Sequence, residues 1–169
     1  PDGERWIGIA PFAAHNGKMY PKEKMEEVVK VLSTEYSNLR IFFFGGGKEE
    51  KQILNTWAAK YKGCTCASEV LHGLNEELVL ISHLDTMISM DSANMHLASL
   101  VGTRVVSIWG ATHPYCGFLG WNQKEDDAVQ NTELECRPCS VFGNKPCHRG
   151  DFECMHSIAP SAIIERLNL

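Results

Sequence analysis

The sequence predicts an α/β protein: a Rossmann-like parallel sheet with helices on both faces. Three observations carry that prediction. Short apolar runs alternate with helix-length amphipathic stretches along most of the chain, the pattern of βαβ units joined by right-handed crossovers. Two runs, Leu39–Phe44 (LRIFFF) and Arg104–Trp109 (RVVSIW), are apolar at nearly every position, as strands covered on both faces are. Between Thr86 and Pro114 the chain reads as strand, sharp polar turn, short helix, strand and Gly-containing loop. That unit places Asp91 and Ser92 at the carboxyl end of a strand, the edge at which open parallel sheets bind ligands.

Each element follows from local signals. Trp6–Pro11 (WIGIAP) reads as the first strand and runs into a loop, Phe12–Tyr20, that carries His15, Asn16, Gly17 and Lys18. Pro21 suits the first turn of a helix, and Met25, Val28, Val29, Leu32 and Tyr36 mark its apolar face. Leu39–Phe44 reads as a central strand, ended by Gly45-Gly46-Gly47. The next helix runs from about Lys48 to Tyr61 and buries Ile53, Leu54, Trp57 and Ala58. Cys64–Ser68 reads as a short third strand. Asn75 is placed to cap a helix over 76–83, with Leu78, Leu80, Ile81 and Leu84 facing inward. Thr86–Met90 is the next strand, Ser92 the cap of a helix over 94–100, and Gly102 its stop. After Pro114 the alternation breaks into loop, with one short strand predicted over 128–132, a Cys-rich loop over 136–154, and a last helix opened by Pro160 that buries Ile163, Ile164 and Leu167.

Composition narrows the function classes. With 169 residues, 44% of them hydrophobic and four Trp, the chain can fill one substantial core. A net charge of −5 provides no basic footprint for nucleic acid. No apolar run approaches the roughly 18 residues of a membrane span, and no signal peptide opens the sequence. The start at Pro1-Asp2-Gly3, without Met, reads as a piece of a longer chain. Seven Cys is an odd number, which argues against a secreted disulfide framework.

Several residues suit ligand chemistry. Lys18 falls in the loop after the first strand, where its ammonium can neutralise a phosphate; its plain alternative is a solvated lysine. Gly45-Gly46-Gly47 lets backbone approach a ligand but lacks the spacing of a GxGxxG or Walker loop. Glu49 stands in the first turn of the helix behind it, either complementing the dipole or accepting ribose hydroxyls. Asp91, Ser92 and His96 converge on one helix N-terminus, whose open N–H groups suit phosphate. Cys136, Cys139, Cys147 and Cys154 follow C-x2-C-x7-C-x6-C, arithmetic that four thiolates on a structural zinc would satisfy; a reduced loop packed on the sheet is the alternative. Cys64, Cys66 and Cys116 read as core fillers.

Together these stretches resemble the carboxy-terminal half of bacterial lipopolysaccharide heptosyltransferases, glycosyltransferase family nine. The resemblance rests on DSANMHLASLVGTRVVSIWGATHP, on HNGKMYP and on the ending CMHSIAPSAIIERL, and it covers almost the whole chain. Many members carry a comparable four-Cys loop. The family has the GT-B architecture, two Rossmann-like domains facing across a cleft, so residues 1–169 are expected to be one donor-binding domain and the amino-terminal acceptor domain to lie outside them.

The resemblance implies roles. Lys18 would contact the donor diphosphate or sugar, Glu49 the ribose, Asp91 the hydroxyls of the transferred sugar, and Leu74 the base. Backbone N–H groups of Ser92, Ala93, Asn94 and Met95, with His96 nearby, would hold the diphosphate. The chemistry implied is inverting transfer of heptose from ADP-heptose to a lipid-linked saccharide in lipopolysaccharide biosynthesis. No cofactor is implied in that step, and the catalytic base is expected in the other domain. The full enzyme is expected in the cytoplasm, at most peripheral at the inner membrane. Ala93 replaces the family's Gly, Ala13 and Ala14 replace hydroxyl residues, Tyr20 replaces Trp and Arg104 replaces Pro. These departures bear on sugar identity more than on fold. A GT-B enzyme with another donor, such as a UDP-hexose, and a non-catalytic scaffold with a zinc-stapled loop are the alternatives.

Overall fold

Among the described residues, six strands pair side by side in the order β3-β2-β1-β4-β5-β6, and every pairing is parallel. They are β1 (Arg5–Ala10), β2 (Leu39–Phe43), β3 (Cys64–Cys66), β4 (Thr86–Met90), β5 (Val105–Trp109) and β6 (Ala128–Gln130). The helices are α1 (Lys22–Glu35), α2 (Lys48–Lys60), α3 (Leu74–Ser82), α4 (Ala93–Leu100), α5 (Glu153–His156) and α6 (Pro160–Leu167). This computed structural model describes residues 3–169; Pro1 and Asp2, on which the expectation of a longer chain rests, lie outside the described residues.

Strand side chains alternate between two cores, which is why the strands read as unbroken apolar runs. Ile7 and Ile9 of β1, Ile41 and Phe43 of β2, Ile88 and Met90 of β4, and Val106 and Ile108 of β5 join α1, α2, α5 and α6 in one core. Ala10, Phe44, Met87, Val105 and Trp109 turn the other way, toward α3 and α4. Helices therefore cover both faces, as predicted. Ser107 is buried within β5 and accepts the Trp109 indole N–H at 2.8 Å, so the polar atom in that layer has a partner.

Local differences have local causes. The helix predicted from an Asn75 cap begins earlier, at Leu74, behind Gly73 at φ 100; there Glu76 reaches back to accept the His72 N–H at 2.7 Å. Ser92 is the N-cap of α4 in extended conformation, but its side chain makes no cap hydrogen bond. It pairs instead with Ser89 Oγ at 3.3 Å. Pro21 is the residue before α1 rather than inside it. The strand order reverses between β1 and β4, and the crevice of a doubly wound sheet opens at that switch point.

Candidate functional site

Lys18 and Asp91 meet at the switch point. Gly17 is buried in the 3₁₀ turn Asn16–Lys18 that follows β1, and this turn is clamped against the loop after β5. The Gly17 carbonyl accepts the Ala111 N–H at 2.8 Å. A Cβ on Gly17 would sit 2.8 Å from that of Ala111, and one on Gly110 would sit 2.6 Å from the Gly17 carbonyl oxygen. Two glycines thus let the loops touch backbone to backbone. The clamp sets Lys18 Nζ 2.9 Å from Asp91 Oδ2, with the two side chains 16% and 3% exposed.

Thr112 donates its hydroxyl to the same Oδ2 at 2.9 Å. Asp91 Oδ1 makes no side-chain or backbone hydrogen bond among the described residues, where no buried side-chain N or O lacks a partner. That oxygen therefore opens to the cavity as a spare acceptor. The cavity is about 560 Å³ and is bordered by Phe12–His15, Lys18, Gly45, Glu50, Asp91–Asn94, His96, Phe118 and Phe142. Because Ser92 does not cap with its side chain, the first N–H groups of α4 retain the dipole end that favours an anion. Met95 is different: its N–H donates to the Ser92 carbonyl at 3.2 Å and its side chain is fully buried.

Lys18, Asp91, Ser92, Ala93, Asn94 and His96 are thus brought together around one cavity. Glu49 and Leu74 are not. Glu49 is exposed outside the lining, and Glu50 takes the place beside Gly45, accepting the Gly46 N–H at 2.7 Å. Leu74 is 52% exposed and borders no part of this cavity. Sequence reading missed Glu50, Thr112, Phe118 and Phe142; for Glu50 the triple Gly beside it was the available signal. His15 borders the cavity, while His113 lies outside the lining and accepts the Tyr115 N–H through Nδ1 at 3.1 Å. Burial, and then the charge of Arg137, holds His113 below the usual histidine range.

The four cysteines Cys136, Cys139, Cys147 and Cys154 border one small cavity, and all are free thiols. Among the described residues no group of three or more His, Cys, Asp or Glu side chains is placed to hold a metal ion. The structural zinc that their spacing would satisfy finds no such ligand group among the described residues. What ties the loop down is Arg137, whose guanidinium donates to the carbonyls of Gly110 and Asn131, to Trp109 at 3.2 Å, Thr112 at 3.0 Å and Gln130 Oε1 at 3.0 Å. Burial raises Cys139 and Cys154, whereas N–H groups led by that of Phe152 lower Cys147. Away from this loop, burial pushes the Cys64 thiol up to about 12, consistent with a filler.

The family model of glycosyltransferase family 9 (heptosyltransferase) matches residues 2–147. The chain belongs to this family. Lipooligosaccharide heptosyltransferase 2 of Campylobacter jejuni is 27% identical over 98% of this chain and 50% of its own length. The structure of E. coli ADP-heptose lps heptosyltransferase II superposes with a TM-score of 0.72 at 19% identity, covering 99% of this chain and 46% of that one. The iron-containing dodecameric glycosyltransferase TibC of enterotoxigenic E. coli gives 0.68 at 18% identity, over 97% of this chain and 44% of that one; TibC has also been solved with ADP-D-β-D-heptose. The chain spans about half the length of the curated relatives it matches over nearly all of its own length. Among the described residues no helix is long and apolar enough to cross a membrane.

Proposed function

We propose that this chain is the donor-binding domain of an inverting heptosyltransferase, taking ADP-heptose as donor for transfer to a lipopolysaccharide core acceptor. The observation that carries the reading is the joining of Lys18 and Asp91 at the carboxyl ends of β1 and β4, in front of the α4 N-terminus. E. coli ADP-heptose lps heptosyltransferase II carries ADP-heptose in its name, and TibC binds ADP-D-β-D-heptose in its solved complex.

Each group has a chemical task in this reading. Asp91 Oδ1 accepts a hydroxyl of the transferred sugar, while Oδ2 stays on Thr112 and Lys18. The Lys18 ammonium bridges Asp91 and the diphosphate, and the N–H groups of Ala93 and Asn94 receive phosphate oxygens. Charge that develops on the departing diphosphate is offset by these donors, so no metal enters the step. His96 lies one helical turn on and faces the same phosphates. Glu50, fixed by Gly46, is the carboxylate placed for the ribose. The base that activates the acceptor hydroxyl would come from an acceptor domain across a GT-B cleft. An enzyme of this kind works in the cytoplasm, with only peripheral contact to the inner membrane where its lipid-linked acceptor lies. The Cys-rich loop has a structural part, walling the cavity.

Calorimetric titration of the chain with ADP, ADP-heptose, UDP and UDP-glucose tests the reading. ADP-heptose should bind more tightly than ADP, and both more tightly than the UDP compounds. Asp91→Asn keeps the Thr112 acceptor and should erase the advantage of ADP-heptose while leaving ADP affinity within about threefold and the melting transition in place. A preference for UDP species would move the donor class. No binding to any of the four would overturn the donor-domain reading.

A further inference from the structure

Lys18 does not hold its pose alone. Gly143, in the Cys-rich loop, lies flat against its stem: a Cβ on Gly143 would sit 2.7 Å from Lys18 Cγ, 2.8 Å from Cε and 3.1 Å from Cδ. These are atoms along the middle of the chain, and its far end is already engaged on Asp91 at 2.9 Å. The stem therefore has no free end to swing aside.

Gly143 is itself anchored. Its N–H donates to Ser140 Oγ at 2.9 Å, and that hydroxyl donates to Asn144 Oδ1 at 3.2 Å. Its φ of +74 is in the left-handed region. The same peptide presses on the first loop, since a Cβ on Gly17 would lie 3.1 Å from the Gly143 carbonyl oxygen. On the cavity side, Phe142 meets Phe118 edge to face at 5.6 Å, and Lys18 Nζ is 6.0 Å from the Phe118 ring.

We propose that Gly143 is a positioning residue for the donor site. By carrying no side chain it lets the Lys18 stem lie in a slot that delivers the ammonium to Asp91 and the donor diphosphate. The proposal rests on the donor reading given above. It assigns the Cys-rich loop a direct share in donor binding: the loop supplies one wall of the slot, the first loop supplies the lysine, and neither suffices alone.

Two substitutions separate steric from backbone effects. Gly143→Ala adds a Cβ and also strains the left-handed backbone, whereas Gly143→Asn adds the Cβ in a residue that tolerates that conformation. Both should weaken ADP binding by about tenfold, the loss of one charge-assisted hydrogen bond. In a Lys18→Ala background the same changes should cost less than about twofold, because the group they displace is gone. Amine acetylation read by mass spectrometry provides a second measurement that needs no ligand. Lys18 should react several-fold faster in Gly143→Asn than in the native chain, while the other lysines keep their rates. Unchanged Lys18 labelling in Gly143→Asn would overturn the proposal whatever ADP does. So would an equal loss of ADP affinity with and without Lys18. Failure of the native chain to bind ADP, with Lys18 labelling altered as expected, would sink the donor reading and leave the positioning role standing.

Discussion

Asp91 Oδ2 serves two donors at once, Lys18 and Thr112, each at 2.9 Å. Such a largely buried pair contributes little net stability, because desolvation offsets much of its attraction, but it pre-orients both groups. Thr112→Val removes one donor from a buried carboxylate and should destabilise the chain by about 1–2 kcal/mol, measured by urea unfolding. The neighbouring carboxylates make a sharper test. If ribose is held by the cavity carboxylate, Glu50→Ala should abolish discrimination between ADP and 2′-deoxy-ADP, and Glu49→Ala should preserve it. A single step in sequence separates these residues, and the geometry of the Gly46–Glu50 contact decides which of them faces the cavity. No pattern of residue types distinguishes adjacent glutamates in a first helical turn.

At the scale of elements, polar groups fasten the loops that build the site. Arg137 ties the Cys-rich loop to backbone carbonyls at and just past the ends of β5 and β6, at Trp109, Gly110, Thr112 and Asn131. Arg137→Ala would leave several of those carbonyls without their donor and should cost about 2–4 kcal/mol. Limited proteolysis should then cut first within 136–154. His113 caps the 3₁₀ turn Pro114–Cys116 only while Nδ1 is unprotonated. Its folded-state pKa is lowered from 6.5 by burial, so its contribution is complete above about pH 6.5 and fades as pH falls through the folded value. The stability difference between the native chain and His113→Ala should therefore shrink on going from pH 7.5 to pH 5.5, as thermal unfolding at each pH would show. The spacing of the four cysteines suggested zinc; the placement of their side chains around Arg137 is a tertiary matter that spacing does not encode.

At the scale of the molecule, one sheet separates two cores. Ile163 of α6 and Ile81 of α3 are both fully buried, on opposite faces. Truncating either to Ala should cost about 2–4 kcal/mol. The two losses should add within about 0.5 kcal/mol in the double variant, since the side chains share no neighbours across the sheet. A larger coupling in denaturant titrations would mean that the layers repack together.

The amino-acid sequence by itself determined the strands, most helix limits, the parallel sheet, and the place of Lys18 and Asp91 at one edge of it. Those signals are local: apolar period, glycine and proline punctuation, and the rule that ligands gather at strand carboxyl ends identify Lys18 and Asp91 separately. The motif of the central stretch likewise pointed to the family that the comparison established. Only the tertiary structure decided that Lys18 pairs with Asp91, that Thr112 shares the carboxylate, that Glu50 and Phe142 border the cavity while Leu74 does not, and that Gly143 lies against the Lys18 stem. Thr112, Phe142 and Gly143 lie far from Lys18 along the chain and gather around it because the β1 and β5 loops dock backbone to backbone and Arg137 holds the Cys-rich loop over them. Contacts of that kind depend on where folded loops come to rest against one another, and residue type and spacing carry no record of that.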